Sequence, residues 1–484
     1  MVRHVCADDF DEERCVAMTK KCPARLALRV SALALALILS AAAFLQAAKL
    51  PAAKPEEVGL SAVRLERLSR LMEEYCDRGK IAGVVTLIIR DEKVAYLKPF
   101  GKLDPTKGTA MPADAIFRIA SQTKAVTSVA VMMLHEEGKF LLDDPVSKYI
   151  PEFAGARVAV PAPDKGAKGY ATVPVKRPIT IRDLLTHTAG ISYGDGPARD
   201  EYQAAGIQGW FLAGKPMPVG DVIKKLAGLP FDAQPGERFV YGYNTDILGY
   251  LVEVTSGLSL AEFFAKKISG PLGMVDTHFF LPENKIDRFT PVYGLDDKGL
   301  LTLREDARDN FYVKGPRVCY AGGAGLLSTA EDYGRFLLML QKGGELDGAR
   351  LLSPKSVELM TVDHVGSIYG SQAFGLGFWV TDRLGRNGQP GSVGAFGWGG
   401  AYHTTYWVDP AEKLVAVLMT QLLPAGASDL HGKFRTLVYQ AIVNSYEKRS
   451  RIRPLARVGP KADERNLLSS RPYFFPSGDR SLLS

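Results

Sequence analysis

Residues 115–138 read Ala115-Ile-Phe-Arg-Ile-Ala-Ser121-Gln-Thr-Lys124-Ala-Val-Thr-Ser-Val-Ala-Val-Met-Met-Leu134-His-Glu-Glu-Gly138. From Ala125 to Leu134 only Thr127 and Ser128 interrupt an apolar run, and Gly138 offers a C-cap. The pattern predicts a helix that starts near Ser121 and is buried on most sides. Ser121 and Lys124, three residues apart, share one face of it. A serine in the first turn has its own N–H at the positive end of the helix dipole, and an amine carried inward can lose its proton to desolvation. Such a pair is a nucleophile with a built-in base. Spacing alone does not establish this, because Ser445-Tyr-Glu-Lys448 repeats it at the end of a polar segment with no apolar run behind it. The bland reading of Lys124 is a side chain reaching out to solvent; the apolar context is what argues against it.

With 484 residues, 46% hydrophobic and 23% charged, the chain can bury a substantial core. The formal charge of +7 suggests an anionic partner until it is divided along the chain. Residues 1–48 carry six Lys/Arg against five Asp/Glu and residues 448–484 carry nine against three, which leaves 49–447 neutral. The basicity belongs to a tail, and the body has no clustered footprint of a nucleic-acid binder.

Lys20, Lys21, Arg25 and Arg29 precede an uncharged, Leu- and Ala-rich run from Val30 to Ala48, the layout of a secretory signal. Residues 1–48 are therefore expected to be a signal peptide or, if uncleaved, an N-terminal anchor and the chain's only membrane contact. The acidic stretch before Met18 fits a signal badly, so translation is expected to start at Met18. The expected location is outside the cytoplasm, periplasmic or extracellular. Cys6, Cys15 and Cys22 fall in the part expected to be removed, and Cys76 and Cys319 cannot form a disulfide framework.

Residues 49–57 read as a linker, and Ser61 caps an amphipathic helix through about Arg78. Val84–Arg90 and Lys93–Phe100, parted by Asp91-Glu92, read as a hairpin. Beyond the helix at Ser121 the chain turns helical and loopy, and a second strand-rich block covers Phe374–Thr381 and Thr404–Thr420 ahead of a helix at about 428–446. The expected class is α/β (α+β): an antiparallel sheet built from both chain ends, flanked by helices, with an inserted mainly helical region. One domain is expected over 58–447, followed by a basic tail over 448–484 whose composition reads as disordered.

Two rival chemistries are weak. The seven histidines form no His-x-His and no His-Glu-x-x-His, so metal catalysis is disfavoured. Gly190-Ile-Ser192-Tyr-Gly194 matches a nucleophile elbow, but that motif needs a strand-to-helix turn, and here a helix over Thr180–Thr188 precedes it and Asp195-Gly196-Pro197 follows. If Ser121 is the nucleophile, it needs a proton shuttle beside Lys124 and a second backbone donor for the oxyanion. Pro235-Gly-Glu-Arg-Phe-Val-Tyr241-Gly-Tyr243-Asn244 is a turn entering a helix that could offer a tyrosine to a cleft. Phe396-Gly-Trp398-Gly399-Gly400-Ala401-Tyr-His403 is a glycine cluster entering a strand, where a substrate could approach the backbone.

With these segments in order, together with Ile-Thr-Ile-Arg-Asp-Leu-Leu-Thr-His-Thr-Ala-Gly at 179–190 and Gly-Gly-Ala-Gly-Leu-Leu-Ser-Thr-Ala-Glu-Asp-Tyr at 322–333, residues 58–446 resemble the serine β-lactamase and penicillin-binding-protein superfamily, in its class C and esterase branch. The resemblance implies Ser121 as acylated nucleophile, Lys124 and Tyr241 as the proton-shuttling pair, and the N–H groups of Ser121 and Ala401 as the oxyanion hole. It sets Trp398-Gly399-Gly400 in the place of the family's Lys-Thr-Gly, with Trp398, Gly399, Gly400 and Tyr243 expected to contact substrate, and makes His187 a packing residue. Tyr241 lacks the family's asparagine two places on, Asn244 coming one place late, and Trp398 replaces a cation. Both departures suit esterases better than lactamases, since a β-lactam loses a partner for its carboxylate and one for its side chain. His403 stands where the esterase pattern has glycine.

The expectation is an exported serine hydrolase cleaving carboxylic esters through an acyl-enzyme, with no metal or other cofactor and a small-molecule ester or amide substrate. The alternatives are a D-amino-acid peptidase or β-lactamase, and a catalytically silent envelope binding protein of the same fold. Oligomeric state cannot be read from the sequence.

Overall fold

The computed structural model describes residues 49–162, 169–370, 372–385, 388–424 and 428–446. The expected signal or anchor over 1–48 and the tail over 448–484 lie outside the described residues, and the unit described ends at Ser445.

Ser61 accepts a hydrogen bond from the Arg64 N–H at 3.3 Å and starts α1 (Ala62–Asp77). Strand β1 (Gly83–Arg90) turns through Asp91 and Glu92 into β2 (Lys93–Asp104), and β3 (Thr109–Ala110) follows. Both turn residues have positive φ, 50° and 65°, as a tight two-residue hairpin demands. The inserted region contains α2 (Thr123–Glu136), α3 (Asn244–Ser256) and α4 (Ala330–Gln341). The chain then returns to the sheet with β4 (Ala373–Phe374), β5 (Trp379–Val380), β6 (Phe396–Gly400), β7 (Thr404–Asp409) and β8 (Leu414–Thr420), and ends on α5 (Leu430–Gln440).

The sheet order is β4-β5-β6-β7-β8-β1-β2-β3, with antiparallel pairing throughout. The expected union of the two chain ends is the β8–β1 pairing, in which Leu87 faces Val417. All eight residues of β1 are buried. Val84 and Ile88 pack with α1 and α5, while Val85, Leu87 and Ile89 join the larger core toward the inserted helices. A strand buried on both faces reads as a nearly continuous apolar run, as Val84–Ile89 does with only Thr86 interrupting it.

Four departures from the sequence reading have local causes. Phe396–Gly400 is itself a strand, although its glycines disguise it. The region read as helical and loopy contains a hairpin of Arg157–Pro161 with Tyr170–Pro174. The closing helix ends at Gln440, short of the expected 446. Residues 49–57 are not a free linker: Leu50 is buried, Val94 N–H donates to Pro51 O at 2.8 Å, and Ala53 N–H donates to Val94 O at 3.0 Å.

Arg90, at the end of β1, clamps the termini to the sheet. Its guanidinium lies 2.5 Å from the Glu412 carboxylate and donates to Gly59 O and Asn444 O, both at 2.8 Å.

Candidate active site

Ser121 lies in a 3-10 turn, Ala120–Gln122, that runs directly into α2. Ala120 holds φ +42°, a left-handed backbone immediately before the serine. Lys124 is buried on α2, and its Nζ lies 3.3 Å from Ser121 Oγ. The same Nζ donates to Tyr193 Oη at 3.0 Å and to Gly323 O at 2.8 Å. Three acceptors surround one nitrogen, which is the number an ammonium can satisfy.

The charge follows the geometry. Burial works against the cation, but the oxygens of Tyr193 and Tyr241 and the Asp246 carboxylate outweigh it, so the Lys124 pKa lies above that of a free lysine. Desolvation alone would leave this amine uncharged, as expected from the sequence; the surrounding oxygens and the Asp246 carboxylate act in the opposite direction and favour the ammonium. Asp246, on the first turn of α3, is buried; its Oδ1 accepts the Gly323 N–H at 2.9 Å. Burial pushes its carboxyl up to about 6 against the pull of Lys124. Gly323 therefore joins the two, with its carbonyl on the amine and its N–H on the acid. The sequence alone singles out neither residue, though Gly323 lies in the Gly-Gly-Ala-Gly segment at 322–333.

Tyr241 reaches the same place by another route. The Lys124 Nζ lies 4.7 Å from its ring centroid, and its hydroxyl oxygen accepts the Trp398 indole N–H at 3.1 Å. The phenol hydrogen-bonded to Lys124 is thus Tyr193, which the sequence reading passed over inside the rejected Gly190–Gly194 motif. That segment is a loop, as expected, and Ser192 is buried, its Oγ accepting the Gly194 N–H at 3.1 Å as a turn cap. The two tyrosines meet edge to face at 5.7 Å because their loops touch: a Cβ on Gly242 would lie 2.2 Å from Ile191 O. Only glycine fits there without displacing the Ile191–Ser192 backbone.

Strand β6 closes the site. A Cβ on Gly400 would lie 2.4 Å from Ile119 O, so the Gly399-Gly400-Ala401 backbone lies against the turn carrying Ser121. Trp398, Gly399, Gly400 and Ala401 are all half-buried and open to a substrate. His403 holds φ +67°, the backbone a glycine would adopt, and its ring stacks on His431 at 4.1 Å. The stacking partner accounts for a non-glycine residue at that position.

Tyr243 is a correction. It is fully buried, its hydroxyl donates to Gly209 O at 2.5 Å and also to Ile207 O, and its ring meets Tyr193 at 5.0 Å. It supports Tyr193 from behind and cannot touch substrate. Asn244 is equally internal: its Nδ2 bonds His187 Nδ1 at 3.0 Å and the carbonyls of Ile191 and Val240, both at 3.1 Å. His187 is buried among Tyr241, Phe239 and Phe374.

Comparison with known proteins agrees with a class the fold and the Ser–Lys pair already outline, the serine hydrolases. A family model described as Beta-lactamase matches residues 68–440, and the chain belongs to that family. It is 37% identical over 374 residues to an uncharacterized protein of Mycobacterium tuberculosis, covering 73% of this chain and 89% of that one. It is 28% identical to esterase EstB of Burkholderia gladioli over 394 residues, covering 77% of this chain and 95% of the esterase. Among solved structures it is similar to EstCE1, a hydrolase with promiscuous acyltransferase activity, at 27% identity and a TM-score of 0.66, covering 78% of this chain and 98% of that one.

Proposed function

We propose that the protein cleaves carboxylic esters of small to medium acyl groups through an acyl-enzyme on Ser121. The observation that carries this reading is the Trp398–Tyr241 contact: an indole stands where a β-lactam carboxylate would need a cation, and it is engaged in holding a phenol. Esterase EstB among the relatives points the same way.

In this reading the Lys124–Tyr241 pair first loses one proton to solvent. Ser121 Oγ bonds the acyl carbon while its proton passes to the Tyr241 oxygen, with the Lys124 ammonium alongside. The N–H groups of Ser121 and Ala401 hold the oxyanion. As the C–O bond to the alcohol breaks, Tyr241 hands the proton to the leaving oxygen. Water then attacks the acyl carbon by the same relay and releases the acid and free Ser121.

A fluorophosphonate probe is expected to label Ser121, and Lys124→Ala to lose most of that labelling; an unlabelled wild-type chain would instead point to a silent binding protein. Purified protein is expected to turn over p-nitrophenyl acetate and butyrate. Hydrolysis of nitrocefin with both esters untouched would reverse the substrate assignment. The proposal includes export, motivated by the basic-then-apolar layout of residues 20–48. Mass spectrometry of the mature chain tests it, and an intact cytosolic N-terminus containing Asp8 to Glu13 would refute it.

A further inference from the structure

A cavity of about 350 Å³ opens beside α2 and is distinct from the Ser121 cleft: Val126 lines it, whereas Ser121, Lys124, Tyr193 and Tyr241 do not. A specific backbone feature borders it. The helix Leu260–Phe264 continues into a π turn, Ala265–Ser269, closed by the Gly270 N–H donating to Ala265 O at 3.0 Å. The extra residue in that turn widens the helix, and Ala265, Ile268 and Ser269 of the turn line the cavity. The rest of the wall is mostly apolar, with Phe264, Met274, Phe279 and Leu326 prominent.

The polar groups are few, and Arg317 is the one charged side chain among the lining residues. None of the lining side chains is acidic. His278 Nε2 lies 3.0 Å from the Lys285 ammonium, an arrangement in which the ring must accept; burial and that cation hold the imidazole down at about 4, so it is neutral. Arg317 is exposed at the opening, where one guanidinium nitrogen donates to Val313 O at 2.8 Å and to Leu281 O at 3.3 Å. Among the described residues no carboxylate pairs with it. Arg317 and Tyr320 also line the adjoining surface hollow, which gives the cavity an entrance. The volume lies at the small end of the range for ligand sites, about 300–1,000 Å³.

We propose that this cavity binds an apolar-tailed carboxylate, with the chain against Phe264, Ile268 and Phe279 and the head at Arg317. A fully apolar occupant would leave the guanidinium without an anionic partner; Glu253 also lines the entrance hollow, where its Oε1 already accepts the Leu260 N–H at 2.9 Å. The site stands independently of the ester reading. It does share a wall with it, because the segment from Tyr320 to Leu326 that borders the cavity carries the Gly323 carbonyl on Lys124.

The test uses the whole chain with decanoate, decanol and a diazirine-bearing decanoate. Decanoate is expected to bind saturably by calorimetry, and the photoprobe to label peptides within 261–280 or 317–326. Arg317→Gln is expected to weaken decanoate by about tenfold, as loss of a charge-assisted contact does, while leaving decanol unchanged. Ala261→Phe, which fills the space, is expected to abolish both. Equal affinity for acid and alcohol, no saturation, insensitivity to both substitutions, or labelling confined to the Ser121 cleft would each overturn the proposal. The photolabel is read on the wild-type chain, so a variant that fails to fold leaves the test intact.

Discussion

Trp398 donates its indole N–H to the hydroxyl oxygen of Tyr241 across 3.1 Å, which leaves the phenol's own proton free to be handed elsewhere. Trp398→Phe keeps an aromatic wall but removes the donor. A single hydrogen bond is worth about 0.5–1.5 kcal/mol, so kcat/KM for p-nitrophenyl butyrate should fall roughly threefold to tenfold, mainly in kcat. An unchanged kcat would mean that the contact only packs the cleft.

Tyr193 and Tyr241 should separate in their effects. Tyr193→Phe removes one of three acceptors from a buried ammonium, which should cost about 1–3 kcal/mol of stability in denaturant titration. Tyr241→Phe removes only the acceptor of the Trp398 N–H and should cost less, about 0.5–1.5 kcal/mol, while abolishing most fluorophosphonate labelling. Equal stability losses in the two variants would remove the distinction between a positioning phenol and a reacting one.

The pH dependence follows from the two shifted groups. Because the Lys124 pKa is raised, the ammonium that stands beside Tyr241 during the reaction persists into the alkaline range, and kcat/KM should not fall through loss of that cation between pH ~7 and ~9. The stability this cation contributes is present below the unfolded lysine pKa and is lost as pH rises through the higher folded one. Asp246, held at about 6, is a carboxyl raised above its unfolded value; between pH ~4 and ~6 the native state binds more protons, so its contribution to stability falls as pH rises through that window. Asp246→Asn should flatten that window and move the alkaline limb of the rate profile to lower pH. A limb that stays in place would show that Asp246 does not hold the charge on Lys124.

Arg90 and Lys98 offer a matched stability comparison. The Arg90–Glu412 pair is buried, so Arg90→Met should destabilise the protein by about 3–5 kcal/mol by removing the partner of a carboxylate and of four carbonyls. Lys98 pairs with Glu66 in solvent, and Lys98→Met should cost no more than about 1 kcal/mol. Similar midpoints for the two variants would contradict the terminal-clamp account.

What could be read locally was read from few residues. The apolar run behind Ser121 announced a buried helix and placed Lys124 one turn along it, and the runs at 84–100 and 404–420 announced the sheet, because side-chain period and burial leave their mark in adjacent residues. The glycines at 242, 399 and 400 marked close backbone approach without saying to what. Tyr243 was misassigned because adjacency to Tyr241 says nothing about direction: at the entry to α3 it points into the core while Tyr241 faces the cleft.

The sequence by itself determined that this chain closes a sheet from its two ends and carries a hydroxyl and an amine on one helical face. Only the tertiary structure decided which phenol bonds that amine, that Asp246 is buried at the site, and that the groups around the amine favour its ammonium form. Those depend on groups from 193, 246 and 323 converging on 124, and a charge buried in a low-dielectric interior is governed by its spatial neighbours, whatever their distance along the chain.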